Sequence, residues 1–220
     1  MIKKTEGWLF DLYPVEEGMA LWIIARGSEQ RLMLLHPYKP YFFVSSPAGA
    51  VARALALFGS FVEISQVERM EFYSGRSMRV TRVCVPPLSF HKAIRSIAGR
   101  FELFTCDIPL AQLYLYDTGL FPLGLCEVEH TDEGRILSIS SLDSPLDIRY
   151  SLPPLRSMSL SLEEAPVNPS HIPEGWRKQR LEVTVDGSTY SLEPEDMARS
   201  LRHLILLHDP DAILCQWGDS

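Results

Sequence analysis

Along residues 7–44 the apolar positions fall in short runs separated by turn residues, which predicts strands rather than helices. The runs are 8–13, 19–26 and 31–36, with Glu16-Glu17-Gly18 and Gly27-Ser28-Glu29-Gln30 as the turns between them. That is the outline of a β-meander. Pro37 and Pro40 interrupt it before the strand Tyr41-Phe42-Phe43-Val44. Ser46-Pro47 then reads as a helix start, with Val51, Leu55 and Leu57 as the apolar face and Gly59 as the stop. Strands over 61–74 and 78–85 follow, joined by a turn at Ser74-Gly75-Arg76 and ended by Pro86-Pro87. Phe90, Ala93, Ile94 and Ile97 recur at helical spacing, Gly99 is a stop signal, and 101–104 reads as a short strand. Strand, helix, strand, strand, helix, strand over 41–104 predicts a ferredoxin-like, or RNA-recognition-like, split β-α-β unit.

The pattern changes further on. A helix is predicted over 107–117 with Gly119 as its cap, then strands and turns over 121–150, and a boundary at Ser151-Leu152-Pro153-Pro154. After the boundary, residues 155–162 alternate apolar and small polar as a strand does, and 166–175 is a loop. Residues 181–185 and 189–192 form a hairpin whose Asp186-Gly187 favours a type I′ turn. Glu193-Pro194-Glu195-Asp196 starts a helix bearing Met197, Leu201, Leu204, Ile205 and Leu207. Asp209-Pro210-Asp211 ends it, before a strand over 212–216. The expected fold class is mixed α+β and α/β: a β-meander with a ferredoxin-like unit, then a second domain.

Composition narrows the function. The chain has 220 residues, 46% hydrophobic and 22% charged, as in ordinary globular proteins. No apolar run approaches the roughly 18 residues that a membrane span needs, and Glu6 and Asp11 interrupt any signal core after the basic start. The expectation is a cytoplasmic protein with no membrane partner. A net charge of −7 argues against an all-over electrostatic grip on nucleic acid, leaving room for a local basic groove. Cys84, Cys106, Cys126 and Cys215 are far apart and form no zinc-type pairs, so they read as reduced thiols, mostly buried. The histidines, His203 and His208 among them, show no ligand spacing or carboxylate partner. No nucleophile elbow, P-loop or dinucleotide fingerprint occurs.

Three segments carry a resemblance. Pro40-Tyr41-Phe42-Phe43-Val44 is similar to an amino-terminal strand of family B DNA polymerases. The stretch 107–122, DIPLAQLYLYDTGLFP, resembles the family's segment between the N-terminal domain and the exonuclease. Asp209-Pro210-Asp211-Ala212-Ile213-Leu214, with Gly218-Asp219-Ser220, resembles a stretch inside the 3′–5′ exonuclease domain. The three are collinear over nearly the whole chain. The resemblance implies an N-terminal domain over 1–130, linking strands over 131–154, and the start of an RNase H-like exonuclease over 155–220. It implies DNA and downstream polymerase domains as partners, with replication or repair proteins as further ones. Family members continue past this point into the polymerase, whose chemistry would use Mg2+; no cofactor is expected for this chain itself.

The same resemblance casts doubt on exonuclease activity. Two-metal hydrolysis needs carboxylate ligands. The family's D-x-E motif falls on Ser161 and Glu163, and a neutral serine hydroxyl replaces a bridging carboxylate poorly. Trp217 stands where a second motif has asparagine, and Asp219 aligns with a non-catalytic position. The expectation is therefore no catalytic residue here. Glu163 and Glu164 at a strand end are ordinarily just solvated; the functional alternative is that Glu163 holds a single metal ion.

For nucleic acid, Tyr13, Pro40, Tyr41 and Pro86 fall at or near positions that form a template-uracil pocket in archaeal family members. Ser89 and Leu113 depart from that pattern, and the plain alternative is that these rings pack a core. Arg177, Lys178 and Arg180, beside Trp176, form the densest basic cluster, suited to single-stranded DNA or simply to a solvated strand lead-in. Two other classes stay open: a protein-interaction module of a decayed polymerase paralogue, and a 3′–5′ exonuclease with rearranged ligands.

Overall fold

The computed structural model describes residues 1–147, 149, 151–162 and 179–215. It divides into two compact units, Met1–Pro153 and Pro154–Ser220. No helix among the described residues is long and apolar enough to cross a membrane. The architecture is mixed α+β, with mostly antiparallel sheets.

The first unit opens with the meander β1 (Ile2–Val15), β2 (Gly18–Ala25) and β3 (Arg31–Pro37). Strands β8 (Leu125–Thr131) and β9 (Ile136–Ser141) extend it into a five-stranded sheet of order β3-β2-β1-β8-β9. The stretch expected to link two domains thus supplies β9 to this sheet. Strand β1 begins six residues earlier than its apolar run predicts. Its polar start, from Ile2, pairs with β8, and its apolar half pairs with β2, with a register shift between Leu9 and Asp11. Distant pairing makes a strand of a segment that local preference does not mark. At the β1–β2 turn, a Cβ on Gly18 would lie 2.0 Å from the His36 carbonyl oxygen, so the approach of β3 requires glycine. Leu35 bridges to Arg135, so the sheet curls until its edges meet. Leu9, Met19, Leu21, Ile23 and Val128 form its core, completed by Tyr114 of α3 (Leu110–Thr118). Gly119 caps α3 at φ 69°, as its position suggests.

The second sheet holds β4 (Tyr41–Val44), β5 (Glu63–Met70), β6 (Ser77–Cys84) and β7 (Leu103–Phe104), ordered β5-β6-β4-β7 and antiparallel throughout. Helices α1 (Ala48–Ala54) and α2 (Phe90–Ile97) pack on one face, where Phe42, Val44, Val51, Val83, Phe90 and Ile97 are buried. Helix α1 is shorter than expected. A 3-10 segment (Ala56–Phe61) follows it, and Leu57, assigned to the apolar face, is fully exposed. Strand β5 also stops short of residue 74. The Glu71 carboxylate accepts the backbone N–H groups of Tyr73 (2.9 Å) and Ser74 (2.7 Å), which turns the chain at 71–75.

The second unit contains β10 (Ser157–Leu162), β11 (Leu181–Val185), β12 (Ser188–Leu192), α4 (Met197–His208) and β13 (Ala212–Cys215). The order is β12-β11-β10-β13, with β10 and β13 parallel. Asp186 and Gly187 both hold positive φ, as a type I′ turn requires. Met158, Leu162, Val183, Val185 and Leu204 form a separate core. Arg156, just before β10, fastens the parallel pair. Its guanidinium donates to Asp209 (3.0 Å) and Asp211 (3.1 Å), and its backbone N–H to Asp211 (2.8 Å).

Two expectations about polar residues need correction. His208 has a carboxylate partner after all, Asp186 at 2.9 Å, because the hairpin turn folds back over the end of α4. Of the cysteines only Cys126 is buried; Cys84 and Cys106 are half-buried and Cys215, on β13, is exposed.

Candidate nucleic-acid interface

Alternation along β4 sends Phe42 and Val44 into the core and Tyr41 and Phe43 to the opposite face of the sheet, away from α1 and α2. Register brings basic and aromatic side chains to that face. Phe43 is paired with Arg82 on one side and Phe104 on the other. The Arg82 guanidinium lies 4.2 Å from the centre of the Tyr41 ring, and that of Arg69 lies 5.2 Å from the Phe43 ring. Both are within cation–π range. Tyr41 and Phe43 meet edge to face at 5.4 Å. Arg82 Nε is buried and has no hydrogen-bond partner among the described residues, an uncommon state for a buried donor.

The Tyr41 ring is held from its far end. Asp117, on α3, accepts a hydrogen bond from Tyr41 (2.9 Å) with one oxygen and from Tyr38 (2.7 Å) with the other. Tyr38 packs edge-on against Tyr114, whose hydroxyl meets His36 Nδ1 at 2.7 Å. Burial, and then the Asp117 carboxylate, push both the Tyr38 and Tyr41 hydroxyls above the usual phenol range. Burial lowers the His36 pKa, so its ring is neutral at pH 7. The two tyrosines hold their protons at neutral pH and fix ring positions. The chemistry this arrangement offers is stacking on flat rings and hydrogen bonding from guanidinium groups.

The sequence-derived candidates are distributed as follows. Pro40 is buried, and its carbonyl accepts the Val85 N–H at 3.2 Å. Pro86 is half-buried and precedes the 3-10 turn Pro87–Ser89. With Tyr41 opposite Cys84, both prolines flank the same end of the β4–β6 ladder as Tyr41. Tyr13 lies on β1, its hydroxyl 3.6 Å from Met33 Sδ, and no hydrogen bond or ring contact among the described residues joins it to Tyr41. Leu113 is buried in α3. Arg180 is paired with Glu193 at 2.9 Å. Arg177, Lys178 and Trp176 lie outside the described residues.

In the second unit, Ser161 sits on β10 opposite Glu182 of β11. It points away from the face that buries Met158 and Leu162. Glu163, Glu164, Trp217 and Asp219 lie outside the described residues. Among the described residues no group of three or more His, Cys, Asp or Glu stands close enough to hold a metal ion. The donors around Ser161 that are described, a hydroxyl and one carboxylate, do not make up a two-metal ligand set.

Sequence reading missed Arg69, Arg82, Phe104 and Asp117. Alternation along β4 was enough to put Phe43 beside Tyr41. Arg82 needed the register of two strands that are not consecutive in the chain. Asp117 stands in the quoted stretch 107–122 but showed no role there.

No protein-family model matches this chain, and no curated protein matches it. A solved structure, the family B DNA polymerase from the hyperthermophilic archaeon Pyrobaculum calidifontis, superposes over 96% of this chain with a TM-score of 0.72 at 20% identity. The superposed region covers 30% of that polymerase, so the chain has the fold of part of a family B DNA polymerase.

Proposed function

We propose that this chain is the N-terminal and exonuclease-like region of a family B DNA polymerase, and that it guides template or single-stranded DNA rather than cutting it. The observation that carries this reading is the agreement between the three collinear segments and a fold likeness over 96% of the chain. The finer fold assignments belong to the same reading. The β5-β6-β4-β7 sheet with two helices on one face suits a ferredoxin-like unit. The second unit, three antiparallel strands followed by a helix and a parallel strand, suits the start of an RNase H-like domain.

In this reading a base stacks on the Tyr41–Phe43 face of the sheet, and the Arg82 guanidinium beside the Tyr41 ring adds positive charge there. Such stacking is worth about 1–3 kcal/mol per base. Pro40 and Pro86 shape the end of the ladder beside Tyr41. Arg177, Lys178 and Arg180 would grip phosphates, and Tyr13 would extend the surface. Ser161 in place of a carboxylate supports the absence of hydrolysis. Polymerisation, with Mg2+, would belong to downstream domains, and replication or repair proteins would be further partners.

The test is fluorescence anisotropy with labelled single-stranded DNA across a salt series. Binding should weaken as salt rises, in proportion to the phosphates contacted. Tyr41→Leu and Arg82→Ala should each weaken it by roughly tenfold, the range expected for one lost stack or charged hydrogen bond. Absence of binding at low salt would remove DNA guidance from the functions of this chain.

A further inference from the structure

The same sheet face has a second feature, at the end away from Pro40 and Pro86. A groove of about 540 Å³ runs between the β5–β6 hairpin and β7. Phe43 and Phe104 form part of it, with Met70, Phe72 and Tyr73 from the hairpin. Phe72 and Tyr73 are 91% and 93% exposed, and Met70 75%. Large rings so fully in water cost solvation free energy unless something covers them, and clustered exposed apolar groups rimmed by charge mark interaction sites. Their volume suits roughly two bulky side chains.

The groove is built rather than loose. Glu71 ties down the turn through the Tyr73 and Ser74 N–H groups, and its own N–H donates to the Arg76 carbonyl at 2.9 Å. The two rings brace each other edge to face at 5.5 Å. Holding anchors in place beforehand lowers the ordering cost of binding. On the other wall Thr105, directly after Phe104, holds φ 61°. A β-branched residue is rarely found there, and such strain collects at binding sites.

Charge discriminates between occupants. Arg69 is engaged by the Phe43 ring and by the Glu68 carbonyl at 3.0 Å. Against it stand Glu71 and Glu102, and Glu102 makes no ion pair among the described residues. Glu71 keeps its charge, since the Ser74 and Tyr73 groups that it accepts from hold its pKa below the usual carboxylate range. A rim with more carboxylates than guanidinium groups repels a phosphodiester and attracts a cation. Aromatic rings, methionine and arginine are also the residue types enriched in protein interfaces.

We propose that this groove docks a short segment of a partner protein that carries two bulky apolar side chains beside a lysine or arginine. The site shares Phe43 and Arg69 with the Tyr41–Arg82 end, but its hairpin residues Met70, Phe72 and Tyr73 lie outside that end, and the proposal does not depend on whether that end binds DNA.

The experiment uses the full chain and two fluorescein-labelled peptides, each with two phenylalanines in a glycine–serine background, flanked by lysines in one and by glutamates in the other. The lysine peptide should bind and the glutamate peptide should not. Phe72→Ser should weaken the lysine peptide roughly tenfold or more, as loss of an anchor does, and Glu102→Lys should reverse the preference. Single-stranded DNA binding should be unchanged by Phe72→Ser, whereas Tyr41→Leu should alter DNA binding alone. Failure of DNA guidance would therefore leave this result standing, and the reverse. The proposal is overturned if neither peptide binds, or if both bind equally and Phe72→Ser has no effect. It is also overturned if Phe72→Ser weakens the DNA complex, or if it abolishes self-association seen by sedimentation. Phe72 lies on an exposed turn, so the variant should fold, and circular dichroism checks this.

Discussion

Cys126, on β8, is fully buried and donates from its thiol to the Gly7 carbonyl at 3.2 Å. Burial pushes its pKa up to about 12. In the unfolded chain a thiol ionises near pH 8.5. The folded-state value is the higher one, so the stability tied to this proton is complete below about 8.5 and declines as pH rises toward 12. The slope is about 1.4 kcal/mol per pH unit for one group. Tyr38, Tyr41 and Tyr114, also shifted upward mainly by burial, add a decline of the same sign above about pH 10. The urea midpoint should therefore be nearly flat around pH 7 and fall between about 8.5 and 10. Cys126→Ala should make that fall shallower, leaving the part due to Cys84, whose thiol is shifted the same way by burial. A midpoint independent of pH over this range would mean that Cys126 is open to solvent. The same residue-level view separates what could be read in the chain from what could not. Tyr41 was legible as a ring beside a strand start. Its anchorage by Asp117 joins positions 76 residues apart and has no local signature.

Among the elements, the parallel pair β10–β13 is fastened by one side chain, Arg156. Asp211 is only 4% exposed, while Arg156 keeps a third of its side chain in water. Arg156→Ala would leave a buried carboxylate without its guanidinium, which after allowance for solvent costs about 2 kcal/mol. Hydrogen exchange should report it as lost amide protection in β10 and β13, with the β1–β2–β3 meander unchanged. Loss spread evenly over the chain would contradict the separation of the cores. Element order was largely legible because turn chemistry is local: Asp186-Gly187 and Gly119 take the positive φ their sequence contexts demand. Boundaries were less so. The polar beginning of β1 is a strand only because β8 pairs with it, and β5 ends early because a carboxylate at Glu71 captures two backbone N–H groups. Strand neighbours such as β4 beside β6 follow from packing of whole segments, which no window of sequence contains.

For the whole molecule, the two units have separate hydrophobic cores: Leu9, Tyr114 and Phe42 belong to clusters in Met1–Pro153, and Met158 and Val183 to one in Pro154–Ser220. A chain of residues 1–153 should therefore fold alone, giving one cooperative urea transition with its near-ultraviolet dichroism intact; a molten product would show that the first unit needs the second. Within that unit, β1 presents its β8-facing edge to a partner that is synthesised much later, since Ile2 pairs with Thr131. At ribosomal rates of about 5–20 residues per second, that edge stays open for on the order of ten seconds. During this interval nascent chains on neighbouring ribosomes could zip together through it. The two lysines at positions 3 and 4 put like charge on an in-register parallel pairing of that edge. In that register the repulsion disfavours zipping until β8 arrives.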